Sequence, residues 1–226
     1  MPFDDGGRFG PWRGTGDRAI NLPPVILWLI GLNLAVHVVR QMSDMAFDAR
    51  MLAQLGVVAA AYTGDAGPLA VDPLALLVAP FSFQFLHGSW LHLGINMATL
   101  VAFGAPVERV LGTRRFLAFY LASGIAAALV HIGFYYDSIQ PLIGASGGVS
   151  GLFGGVLLLL RRLGKPASVL PIAAVWIGVN VFFGVVGGVA MAGGDSIAWV
   201  AHIGGFIFGL ATIRFFVPGS VLPLVR

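Results

Sequence analysis

The sequence predicts an all-α membrane protein, a bundle of six spanning helices with both termini in the cytosol. Three observations lead there. Of 226 residues, 58% are hydrophobic and only 10% charged, with a mean hydropathy of +0.89, a composition far outside the soluble range. Apolar segments recur evenly enough that one helical bundle accounts for nearly the whole chain. The basic residues gather in alternate connections between those segments, as positive-inside topology requires.

The same composition excludes several classes. A sequence pI near 9.8 and a net charge of +3 would suit a nucleic-acid partner, but the basic residues lie scattered in short loops. No nucleic-acid partner is expected; the bilayer is. Cysteine is absent, so there is no disulfide framework, thiolate metal site or cysteine nucleophile.

The elements follow in order. Residues 1–22 form a Gly- and Arg-rich cytosolic tail without an apolar core, so the first span should act as its own insertion signal. The membrane domain is expected over 23–217, with 218–226 as a short cytosolic tail. Its spans are read at 24–39, 91–107, 116–136, 147–160, 168–190 and 197–216. The fourth is shortest, below the roughly 20 residues that cross a hydrocarbon core of about 30 Å, which implies that one end starts beneath the surface.

Between the first two spans, a long outer loop at about 41–84 mixes Gly64, Gly67 and Pro68 with an apolar patch at 74–79. Such a loop in a compact bundle is functional or embedded, and its apolar content favours embedding. Arg8, Arg13, Arg18, Arg109, Arg114, Arg115, Arg161, Arg162, Lys165, Arg214 and Arg226 fall on one side, against Arg40 and Arg50 on the other. Asp44, Asp48, Asp65, Asp72, Asp137 and Asp195 share the outer side with those two.

Polar residues inside the spans carry the chemistry. Ser146 heads the fourth span in Gly144-Ala145-Ser146-Gly147-Gly148, and His202 lies deep in the sixth. Such residues are costly in lipid and face a protein interior or a water-filled cavity. At 1.5 Å per residue from Arg161, Arg214 and Arg109, Ser146 stands about 22 Å above the cytosolic edge, His202 about 18 Å and Asn96 about 20 Å. His92, at i−4 from Asn96 on the same helix face, comes to about 25 Å. Three spans therefore contribute polar groups to one layer.

That layer suits acyl transfer. A serine hydroxyl needs a base to take its proton, and neutral imidazole is suited to this near pH 7. A developing oxyanion needs preset donors, for which Asn96, His92 and the Ser146 amide qualify. No carboxylate lies near, so the reading is a Ser–His dyad whose imidazole is oriented by packing. Gly147 with Gly151, and Gly205 with Gly209, form small-xxx-small pairs that let the fourth and sixth spans approach closely.

The segment Phe85-Leu86-His87-Gly88-Ser89-Trp90-Leu91-His92-Leu93-Gly94-Ile95-Asn96, with Gly144-Ala145-Ser146-Gly147 and Ala201-His202-Ile203-Gly204-Gly205, resembles the rhomboid family of intramembrane serine proteases. The resemblance covers about residues 80–214, and its specificity lies in three motifs on spans two, four and six. It implies Ser146 as nucleophile, His202 as base, and His92 and Asn96 in the oxyanion hole. Gly144 would sit where the loop turns into the catalytic helix. It also implies a lateral gate at span five, a partly embedded first loop, and transmembrane protein substrates with helix-destabilising residues. Two positions depart from the family pattern: Leu77-Val78-Ala79-Pro80 stands where a Trp-Arg pair is common, and Ser150 where some members carry an aromatic.

Other residues have plainer readings. Ser150 is expected to bond the carbonyl four residues back, with the nucleophile's role as its minor alternative. Asn180, about 22 Å above Lys165, reads as an interhelical hydrogen-bonding residue. His37 and His131 read as packing histidines. Gln84, His87 and Ser89 are candidates for a water path into the site, although His87 reads equally well as an interfacial anchor. No His-Glu-x-x-His occurs, so neither metal nor other cofactor is expected. The function read from all this is intramembrane serine endopeptidase, in a bacterial cytoplasmic membrane by the Arg, Ala, Gly and Val usage. A non-catalytic rhomboid-like escort protein is the alternative, and a small transporter a more distant one.

Overall fold

The computed structural model of the chain describes residues 22–64, 71–162, 169–190 and 198–219. The tail with Arg8, Arg13 and Arg18, the segment around Lys165, the terminal Arg226, and Asp65 and Asp195 lie outside the described residues.

Helix α1 (Pro24–Met42) opens on a proline, whose missing N–H costs nothing in a first turn. Then come α2 (Met45–Leu55), strand β1 (Val57–Val58), α3 (Ala59–Thr63) and α4 (Pro73–Ser82). Helix α5 (Trp90–Thr99) runs through a π turn at Leu100–Gly104 into α6 (Ala105–Leu111). Pro106 has no N–H to give and its ring crowds the carbonyl four residues back, and the widened turn just before it relieves that conflict. After α7 (Thr113–Phe134) and β2 (Pro141–Leu142) follow α8 (Ser146–Arg162), α9 (Val169–Ala190) and α10 (Trp199–Phe216).

Four of these units, Pro24–Met42, Trp90–Leu111, Thr113–Phe134 and Trp199–Phe216, are long and apolar enough to cross a membrane. Ser146–Arg161 and Val169–Phe182 are shorter apolar helices. Trp28, Leu91, Leu170 and Phe215 are each more than two-thirds exposed. In water such a surface would aggregate; against acyl chains it is ordinary. The chain is an integral multi-pass membrane protein.

Within the connection expected at 41–84, most of the described residues are helical. Asp44 caps α2 by accepting from the Phe47 N–H at 2.8 Å, and Asp72 caps α4 by accepting from Leu74 N–H at 2.8 Å. The segment is also tied down. Val57 and Val58 pair antiparallel with Leu142 and Pro141, and the Ala60 N–H donates to the Ser138 carbonyl at 3.0 Å. Val57, Ala79 and Phe83 share a buried cluster with Ala127 and Ala128 of α7 and Ala201 of α10. The connection between the first two long helices thus buttresses the strand that leads into α8.

No Trp-Arg pair anchors this connection, and Arg40 at the end of α1 does so instead. Its Nε lies 2.7 Å from the Asp48 carboxylate, and its Nη1 donates to the His87 carbonyl at 2.7 Å. Arg40 is only 5% exposed, and its bond to the His87 carbonyl is buried, whereas its partner Asp48 is 31% exposed. Arg40→Ala is expected to cost about 1–3 kcal/mol, the range for leaving a buried hydrogen-bonding group unsatisfied, and to lower the thermal midpoint in detergent. An unchanged midpoint would show that the contact contributes nothing net.

Helix α8 sits between α7 and α10 because glycine lets it. A Cβ on Gly205 would collide with the Gly147 carbonyl, one on Gly209 with the Gly151 carbonyl, and one on Gly154 with the Phe206 carbonyl. On the α7 side, Gly147 packs against Ala127 and Gly151 against Ser123. The backbones of α8 and α10 are therefore in direct contact, which lipid cannot drive by the hydrophobic effect but close packing can.

Candidate active site

Ser146 is the first residue of α8, and the turn that delivers it is fixed by its neighbours. Gly144 adopts φ +121°, and a Cβ there would lie 2.9 Å from His92 Nε2. Both facts demand glycine. The Gly144 N–H donates to the Phe83 carbonyl at 2.9 Å, and the Ala145 N–H makes a longer contact of 3.4 Å to His87 Nε2. Burial first, and then the neighbouring His92, push the His87 imidazole down to about 3. His87 lies outside the long apolar helices and is neutral at pH 7, with Nε2 as an acceptor for that amide.

Because the Val149 N–H is the first to bond back, to the Ala145 carbonyl at 3.0 Å, the amides of Ser146, Gly147 and Gly148 have no helical acceptor. They form the positive end of α8 beside the hydroxyl.

Ser146 Oγ stands 2.7 Å from His202 Nε2, joining α8 to α10 across 56 residues of sequence. The other ring nitrogen, Nδ1, is 2.8 Å from Asn180 Oδ1 on α9. Asn180 in turn donates from Nδ2 to the Trp176 carbonyl at 2.8 Å. Packing alone was the sequence expectation for the imidazole; the structure instead supplies an amide partner. Asn180 is indeed an interhelical hydrogen-bonding residue, and its partner is the histidine itself.

His92 borders the same turn, with its Nε2 against Gly144 on the side where Ser146 Oγ also lies. Its ring meets His87 edge-on at 5.1 Å between centroids. Asn96 is buried one turn further along α5, and donates one Nδ2 hydrogen to the His92 carbonyl at 3.0 Å, leaving its second for another acceptor. Gln84, fully buried, inserts between α7 and α8 against Gly124 and Gly148, and its amide atoms have no hydrogen-bond partner among the described residues. The Ser89 hydroxyl oxygen caps α5 by accepting from the His92 N–H at 3.1 Å. Ser150 is buried one turn into α8, and His37 packs edge-on against Trp90 at 4.5 Å.

A hydroxyl bonded to an imidazole, beside the open amides of a helix N-terminus, is the arrangement that serine acyl transfer uses. Residues 77–219, more than half of the chain, match the family model described as the Rhomboid domain. The chain belongs to the rhomboid family. Every polar residue just described from Gln84 to His202 falls inside the matched rhomboid domain, whereas Arg40 lies before it.

Among curated relatives, Rhomboid protease GlpG of Pectobacterium atrosepticum is 34% identical over 138 residues, covering 58% of this chain and 45% of that protein. Rhomboid protease GluP of Bacillus subtilis is 34% identical over 132 residues, 55% of this chain and 23% of that protein. RHOMBOID-like protein 4 of Arabidopsis thaliana is 35% identical over 133 residues, 57% of this chain and 31% of that protein. The chain thus spans less than half the length of these rhomboid relatives. Two of them bear protease names, and a Rhomboid-type serine protease 2 from Emericella nidulans is also similar, at 30% identity.

Proposed function

We propose that this protein is an intramembrane serine endopeptidase that cleaves transmembrane segments of membrane proteins with a Ser146–His202 dyad. The observation that carries the reading is the 2.7 Å separation of Ser146 Oγ and His202 Nε2 at the N-terminus of a buried helix. His202 takes the hydroxyl proton as Ser146 attacks the scissile carbonyl, then passes it to the departing amine. An acyl-enzyme remains on Ser146, and water activated by the same imidazole releases it.

The tetrahedral oxyanion would be held by the Ser146 amide, His92 and the free Nδ2 hydrogen of Asn96. Gly144 allows the turn, while Gly147 and Gly205 keep α8 and α10 close enough for the dyad to meet. A water route would pass Gln84 and His87 at the end of α5 that Ser89 caps. Since a helix keeps its carbonyls bonded internally, the substrate must unwind locally before Ser146 can attack.

In this reading the four long apolar helices α1, α5–α6, α7 and α10, together with the shorter α8 and α9, make six spans of a bacterial cytoplasmic membrane, with both termini cytosolic. The excess of basic residues on one side supports that orientation. The exposed apolar side chains of α4, Leu74 and Leu77 among them, support a first connection lying partly in the outer leaflet.

A fluorophosphonate probe tests the chemistry without any substrate, because only an activated serine reacts. Labelling is expected at Ser146 in the purified protein and should vanish in Ser146→Ala and His202→Ala. A native, folded protein that takes no label at Ser146 would overturn the proposal.

A further inference from the structure

Asn180 is 7% exposed on α9, a helix that otherwise presents almost only apolar side chains. Its amide is held at both ends. Nδ2 donates to the Trp176 carbonyl at 2.8 Å, which is possible only for the nitrogen and so identifies the atom facing His202 as the oxygen. An amide oxygen accepts and cannot donate. The 2.8 Å contact therefore requires the proton of the neutral imidazole on Nδ1, leaving the Nε2 lone pair directed at the Ser146 hydroxyl 2.7 Å away.

We infer that Asn180 is the positioning residue of the dyad, selecting the His202 tautomer that can act as base and fixing the rotation of its ring. The inference rests on the assignment of Ser146 and His202 made above. In soluble serine proteases a buried aspartate performs this task, and in papain-like enzymes an asparagine does. Within a bilayer the neutral amide has an advantage, because it offers the same acceptor without a carboxylate to desolvate. When the serine proton arrives on Nε2, the amide dipole still points its negative end at the imidazolium. Because Asn180 belongs to α9 and His202 to α10, the base stays aligned only while these two helices remain together.

The test compares Asn180→Leu, which keeps the volume but removes the acceptor, with Asn180→Asp, which keeps the acceptor. Fluorophosphonate labelling rates are measured per folded molecule, beside wild type and Ser146→Ala, with Asn180→Ala as a second acceptor-free variant. The expected result is a fall of about 10- to 100-fold in Asn180→Leu and Asn180→Ala, the scale of losing an orienting partner. Asn180→Asp should recover only part of the rate, because it keeps the acceptor for His202 but loses the donor to the Trp176 carbonyl. With a transmembrane substrate the loss should fall on kcat and leave KM unchanged. Leu or Ala variants labelling at the wild-type rate, or a loss that falls on KM with kcat unchanged, would overturn the inference while the protease assignment stands. Wild type failing to label at Ser146 would overturn both.

Discussion

Replacing Ser146 by alanine is expected to abolish cleavage of a transmembrane substrate, with a fall of about 10⁴-fold or more. His202→Ala should do the same, and the double variant should be no worse than either single one. The reason is that nucleophile and base act as one unit at 2.7 Å, so the second deletion removes nothing the first has left working. Ser150→Ala is the internal control: Ser150 lies one turn further into α8, and its loss should leave most of the activity. The measurement is product formation in proteoliposomes, with a single-span substrate held above its KM. Cleavage that survives in Ser146→Ala would remove the nucleophile assignment, and cleavage lost in Ser150→Ala but retained in Ser146→Ala would transfer it. Asn96→Ala should fall less, by about 10²- to 10³-fold, since it removes one oxyanion donor among several.

The second large effect concerns stability. A Cβ at Gly209 would meet the carbonyl oxygen, carbonyl carbon and Cα of Gly151, all backbone atoms that no rotamer change can move aside. Gly209→Ala is therefore expected to separate α8 from α10, at a cost above the about 1–3 kcal/mol usual for overpacking. Gly155→Ala should be much milder, because its nearest neighbours are the ends of the Ile213 and Phe119 side chains at 3.2 Å. Gly178→Ala on α9 meets nothing within 4 Å and should be neutral or slightly stabilising, by up to about 1 kcal/mol of helix propensity. Thermal unfolding in one detergent would rank the three. Gly209→Ala unfolding together with Gly178→Ala would show that the interface yields freely, contrary to the backbone contact described here. Since the same interface holds Ser146 to His202, activity in Gly209→Ala should fall at temperatures where the protein is still folded.

The positions of the long helices were legible because lipid leaves a chain few options. Backbone groups must be satisfied internally, so apolar segments form helices, and four of the segments read from the sequence overlap helices long and apolar enough to cross a membrane while the fourth and fifth overlap shorter ones. The connection at 41–84 was harder, because its helices are short and their apolar spacing is irregular. The signals that mark them are Asp44 and Asp72, capping residues just ahead of α2 and α4. Arg40 was hidden for another reason: its partner Asp48 is eight residues away across a helix break, a separation at which no periodicity rule applies.

Composition, hydropathy and three short motifs are local properties, and they determined the membrane class and the family and set the expected height of each polar residue along its helix. Height is set by the fixed rise of a helix, which needs no neighbour to define it. Azimuth is different. A helix apolar on every side, such as α9, carries no hydrophobic face to say which way Asn180 turns, so its bond to His202 arises only when α9 is packed against α10. The meeting of Ser146 with His202 likewise depends on backbone contact between two helices, which glycine spacing permits and only tertiary packing completes.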